Sequence, residues 1–142
     1  MIAAIVAYLE TNKAALGLKL IGGAAEFQAA AEANPAAVPA AFVITLDESA
    51  GPSLVVPVVE QRVAVNVGIV LVVRNVSDAT GAASQVDMEA LRAKVKAKLL
   101  GWSPADGCDA LERSRSHLLA FKQGHMWWQD AYTTAFLDRS QL

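Results

Sequence analysis

The chain has 142 residues, a length at which one compact domain buries roughly two-thirds of its unfolded surface, so a core needs neither disulfide nor metal. Twelve Lys and Arg against fourteen Asp and Glu leave a net charge of −2 with neither sign gathered into one half of the sequence, so nothing announces the strongly basic face of a duplex-binding protein. The apolar fraction is 54%, yet its most apolar stretch, Val63 to Val73, is interrupted by Asn66 and falls well short of the ~20 residues that span a bilayer.

Ile2, Ile5, Val6 and Leu9 recur at the spacing of one helical face, and Gly17 stands where a C-terminal cap belongs. The chain therefore opens on a surface helix. Lys19 to Gly22 reads as a short strand, and Ala24 to Ala33 as an Ala-rich helix stopped by Asn34-Pro35, because Pro disfavours helical geometry in the residue before it. Ala41 to Leu46 reads as a strand, and Asp47 to Ser53 as a polar connection rich in turn residues.

From Val58 to Arg74 the side chains alternate. Gln61, Val63, Val65, Val67, Ile69, Leu71 and Val73 share an apolar face, while Glu60, Arg62, Ala64, Asn66, Gly68, Val70, Val72 and Arg74 share a half-polar one. At about 3.3 Å per residue such a strand runs ~50 Å, so either Gly68 marks a bulge or part of the strand projects beyond the domain.

Asn75 to Ala83 reads as a loop leading to Ser84 as N-cap. Met88, Leu91, Val95 and Leu99 then form a second helical stripe that ends at Gly101 and Pro104. Arg92, Lys94, Lys96 and Lys98 divide between the two flanks of that stripe, the solvation expected of a core-facing helix. Leu111 to Phe121 and Met126 to Phe136 flank Lys122-Gln123-Gly124-His125 as a closing β-hairpin. The elements predict a single α+β domain, two main helices laid on a largely antiparallel sheet.

Chemistry-bearing patterns are sparse. His117 and His125 have no Cys or carboxylate at ligand spacing, so no metal site is expected. Asp109, Ser114, Ser116 and His117 hold the letters of a hydrolase triad without a Gly-x-Ser-x-Gly elbow. Adjacent residues of one strand also point to opposite faces. Gly22-Gly23 matches neither phosphate-binding loop pattern and reads as a turn. Cys108 has no internal disulfide partner and no activating neighbour, and Met1 to Leu16 lacks the basic start of a signal peptide. No catalytic residue and no cofactor is expected.

Two features point to contacts with other chains. Glu60, Arg62, Asn66 and Arg74 lie with period two on the face turned from the core, a candidate surface for a neighbouring subunit that Arg62 would join by an ion pair. Plain solvation is the alternative. Trp127 and Trp128 are adjacent on a strand and cannot enter one core. Either helices cover both faces, or one Trp lies along the surface, or one Trp, with Trp127 the candidate, meets another subunit.

In its C-terminal third the chain resembles the tail terminator family of long-tailed phages, in the form seen in Mu-like and related myophages. The resemblance lies in Leu99-Leu100-Gly101-Trp102-Ser103-Pro104 after a helix, then Leu111, Leu118-Leu119, Gly124, and Trp127-Trp128-Gln129-Asp130 leading to Phe136. The order of the earlier helix and strands fits as well. The segment Ser114-Arg115-Ser116 departs from the Gly residues usual there. The resemblance implies a non-enzymatic homohexameric ring that ends the tail tube, meets the tube protein and the head connector or neck, and lets DNA pass without specific binding. It places the protein in the tail and neck of the virion, assembled in the host cytoplasm and away from membranes. Gly101 and Pro104 are expected to set a chain reversal after the second helix, with Trp102 anchoring that turn and its indole packed against the sheet. Another head-to-tail completion or connector subunit would share these features, and a small enzyme or ligand-binding domain would differ in needing a deep polar pocket.

Overall fold

The computed structural model describes residues 1–75 and 80–141. It opens with helices α1 (Ile2–Thr11) and α2 (Lys13–Leu16), closed by Gly17 in a left-handed conformation, and bury Ile5, Leu9 and Leu16 on one side. Strand β1 (Leu20–Gly22) leads into α3 (Ala24–Ala33), where the Glu26 carboxylate accepts a 3.0 Å hydrogen bond from the Gly23 amide and caps the first turn. Strands β2 (Ala40–Ala50) and β3 (Glu60–Arg74) follow, then α4 (Ala82–Leu99) and the hairpin of β4 (Glu112–Lys122) and β5 (His125–Arg139).

The five strands form one sheet in the order β1-β2-β3-β5-β4, in which only the β1–β2 pair is parallel. The α+β reading of the sequence is thus the architecture observed. Helices α1, α2 and α4 cover one face, where Val63, Val65, Val67, Ile69, Leu71 and Val73 of β3 meet Ile5, Leu9, Met88, Leu91, Val95 and Leu99. Helix α3 covers part of the other face, over Phe42, Val70, Val72 and Trp127. The two-residue turn Gln123-Gly124 has φ of 53° and 76°, the left-handed pair that matches strand twist in a tight hairpin, and Gly takes the second position without strain.

Four local expectations need correction. Asp47 to Ala50 extend β2 instead of forming a connection, because β3 continues beside them and supplies a ladder from Asp47–Asn66 to Ala50–Val63. The bulge lies in β2 at Leu46, between the Thr45–Val67 and Asp47–Asn66 pairs. Gly68 is not bulged but leaves room for Ile44 and Leu46, since a Cβ there would stand 3.0 Å from Leu46 Cδ2. Nor does the long strand project: β3 pairs with β5 without interruption from Glu60–Arg139 to Arg74–His125 and with β2 from Val72–Ala40 to Val63–Ala50, so most of its length lies between two neighbours inside the sheet. Ser84 is not an N-cap: Gly81 holds that position and Ser84 is buried in the first turn of α4. Of the loop expected from Asn75, residues 76–79 lie outside the described residues.

Candidate interface surfaces

The half-polar face of β3 is two surfaces. Its upper part is buried, Val70 and Val72 beneath α3 and Gly68 against Ile44 and Leu46, contrary to the expectation that the whole face points away from the core. Its lower part carries Glu60, Arg62, Ala64 and Asn66 and, among the described residues, has no helix over it. Arg74 stands at the opposite end, exposed beside the β4–β5 turn, so the four polar candidates do not form one patch.

Each of the other three has a partner in its own chain. Arg62 forms an ion pair with Asp109, both side chains at least half exposed. Glu60 receives a 2.8 Å hydrogen bond from Arg139 Nε, and Asn66 donates one of 2.6 Å to Asp47. These contacts lace the lower ends of β2, β3 and β5 and the segment before β4 into a polar platform. Beside it runs the β2–β3 connection, Gly51 to Val59, with Leu54 and Val56 91% and 92% exposed. Its base is fixed by Ser53, whose hydroxyl accepts from the Glu60 amide at 3.0 Å, and by Ser140, whose hydroxyl accepts from the Val59 amide at 2.9 Å. An apolar tip with an anchored base is a shape suited to another protein's surface.

Trp127 is not on the surface. It is 3% exposed, with Phe42 stacked at 6.5 Å and Phe27 of α3 edge-on at 6.3 Å, so helices do cover both faces of the sheet at this level. Lys122 lies over the indole at 5.3 Å and donates to the Ala31 carbonyl at the end of α3, while Asn34 donates to Gln123 at 2.8 Å. The hairpin turn thereby holds the C-terminus of α3 against the sheet. Trp127 belongs to this intramolecular contact and leaves the set of interface candidates.

Asp130 is the centre of a cluster that sequence reasoning did not reach. Its buried carboxylate accepts from Arg92 Nη2 at 2.8 Å and Nε at 3.0 Å, from the Ser116 hydroxyl at 2.5 Å and from Trp128 Nε1 at 3.2 Å; Arg92 also lies 4.4 Å above the Trp128 ring. Burial pushes the Asp130 carboxyl up, but the donated bonds from Arg92, Ser116 and Trp128, with the Arg92 charge, outweigh it and hold the pKa below its ordinary 3.8. Arg92 is thus not one of the solvated flank residues but the tie between α4 and β5. Nearby, burial first and the Asp130 charge second push the Tyr132 phenol up to about 12.

The remaining chemistry letters do not converge. Ser116 is held by Asp130, Ser114 donates to the Ala131 carbonyl, and Asp109 pairs with Arg62. His125 is buried at the hairpin turn, where desolvation lowers its pKa, the Gln123 carbonyl opposes this, and Arg74 and Lys122 lower it further. Among the described residues no group of three His, Cys, Asp or Glu could hold a metal, and no helix is long and apolar enough to cross a membrane.

The segment after α4 turns at Gly101, whose φ of 82° is a left-handed value that a side chain would strain. The Gly101 amide donates to Leu111 at 2.9 Å and the Leu111 amide to Trp102 at 2.9 Å, which closes the loop, and Pro104 is buried within it. The Trp102 indole packs on helix α1 and not on the sheet as expected: it stacks on Tyr8 at 4.0 Å and 4°, and Tyr8 donates to the Lys98 carbonyl at 3.2 Å. The motif thus clamps the N-terminal helix to the end of α4. Because the ring is only half-buried, Trp102→Ala is expected to cost ~2 to 3 kcal/mol, below the range for a fully buried Trp. Urea denaturation measures it, and an unchanged midpoint would mean the stack contributes nothing.

Comparison with known proteins agrees with this architecture. A chain of the solved virion of a native gene transfer agent particle shares the fold, with a TM-score of 0.62 and 17% identity over 97% of this chain and 95% of that one. A search of curated proteins finds no match. The family model described as phage tail terminator protein matches residues 2–141, and the chain belongs to that phage tail structural family.

Proposed function

We propose that this chain is a non-enzymatic virion component that closes into a homohexameric ring, ends the tail tube and joins it to the head connector at the neck. The observation that carries the reading is the tail terminator match, which spans both the fold and the Gly101-Trp102-Pro104 turn. The polar platform and the anchored apolar loop at one end of the sheet are surfaces of the kind such a ring needs for its neighbours. A net charge of −2 suits a passage through which DNA moves without tight binding, and assembly would take place in the host cytoplasm.

Arg62 tests whether the platform takes part. The Arg62–Asp109 pair is exposed, so its loss costs the monomer about 0 to 1 kcal/mol, whereas a pair desolvated in an interface costs ~2 to 5. Arg62→Glu is expected to fold normally by circular dichroism yet yield overlong or headless tails under the electron microscope. Normal tails from that variant would remove the platform from the interface. Wild-type protein absent from the tail end would sink the terminator reading itself.

A further inference from the structure

Both margins of the sheet are open, and they carry opposite charge. On one margin β1 pairs only with Ala40 to Phe42, so the backbone edge of β2 from Ile44 to Ala50 has no strand beside it among the described residues. On the other, among the described residues β4 pairs only with β5, and its residues Glu112 to Leu119 are all exposed. The free stretch of β2 holds Asp47 and Glu48 and no cation, while β4 holds Arg113, Arg115 and Lys122 against the single Glu112.

Charges and bulges also serve to keep edge strands apart, and β4 has register shifts between Arg113 and Ser116 and between Leu118 and Ala120. Protection alone, however, leaves Leu118, Leu119 and Phe121 exposed by 48%, 39% and 39% on one strand. It also gives no reason for the two margins to differ in sign. Strand direction adds a constraint. Since β2, β3, β5 and β4 alternate in direction, β4 runs opposite to β2. A rotation that continues the sheet therefore brings them together antiparallel.

We infer that the β4 edge of one copy adds to the free stretch of β2 in the next copy, joining neighbouring sheets head to tail. The inference rests on the ring reading above and names the surfaces that close the ring. Backbone hydrogen bonds supply the register-independent attraction, and Arg113 and Arg115 against Asp47 and Glu48 select this pairing over β4 with β4. Because the two surfaces differ, repetition generates a ring by rotation instead of a two-fold dimer.

The test uses the full chain in two forms, Arg113→Glu with Arg115→Glu, and Asp47→Lys with Glu48→Lys, studied by sedimentation after circular dichroism has verified the fold. Each form alone is expected to lose association by on the order of a hundredfold. An equimolar mixture is expected to regain it, because alternating copies restore opposite charge at every junction. The exposed single changes Arg115→Glu and Glu48→Lys repeat the test should a double variant unfold. Wild-type association by either form alone, or no recovery in the mixture, overturns the edge pairing while leaving the ring reading intact. Wild-type protein that stays monomeric at every concentration overturns both.

Discussion

Replacing Asp130 by Ala is expected to destabilise the fold by ~3 to 5 kcal/mol, the range for removing one partner of a buried ion pair. The change strands Arg92, whose side chain is only 18% exposed, and removes the acceptor of Ser116 and Trp128 as well. Since domains of this size are stable by about 5 to 15 kcal/mol, a third or more of the total is at stake. Urea unfolding at neutral pH reads it, and a loss below about 1 kcal/mol would show that Arg92 escapes to water without cost.

The same residue sets a pH limit. Its folded pKa lies below the ordinary 3.8, so the stabilisation is fully present above that value and is lost as the pH falls through it toward the folded pKa. Asp130→Asn is expected to flatten this acid limb in a stability-versus-pH series. An acid limb identical to that of wild type would assign the limit to other carboxylates.

Trp127→Ala is expected to cost a comparable ~3 to 5 kcal/mol, because a 3% exposed indole between Phe27 and Phe42 leaves a large cavity when truncated. The loss should concentrate in α3, which meets the rest of the fold through this cluster and the contacts of Lys122 and Asn34. Its amides should exchange fastest in the variant. Trp127→Phe should retain most of the stability, since the indole N–H has no hydrogen-bond partner among the described residues and nothing polar is lost. Uniform exchange across the sheet in Trp127→Ala would mean that α3 is held elsewhere.

These expectations mark what the sequence by itself determined. The apolar stripe of Ile2, Ile5 and Leu9, the alternation from Val63 to Val67 running into the apolar stretch up to Val73, and the Gln123-Gly124 turn are local patterns. Backbone sterics and periodicity impose helix, strand and hairpin on them whatever lies nearby. The turn motif at Gly101, Trp102 and Pro104 was legible in the same way, although its stacking partner Tyr8 was not. The tertiary structure alone decided which face each element covers. Val70, Val72 and Trp127 are core residues because α3 folds over them, and Arg62, Glu60 and Asn66 find Asp109, Arg139 and Asp47 from distant parts of the chain. The Arg92–Asp130 pair joins residues 38 apart, and the free edges of β2 and β4 follow from strand order. Burial and pairing of this kind depend on contacts between segments whose separation no local period encodes, so they become visible only when the sheet is assembled.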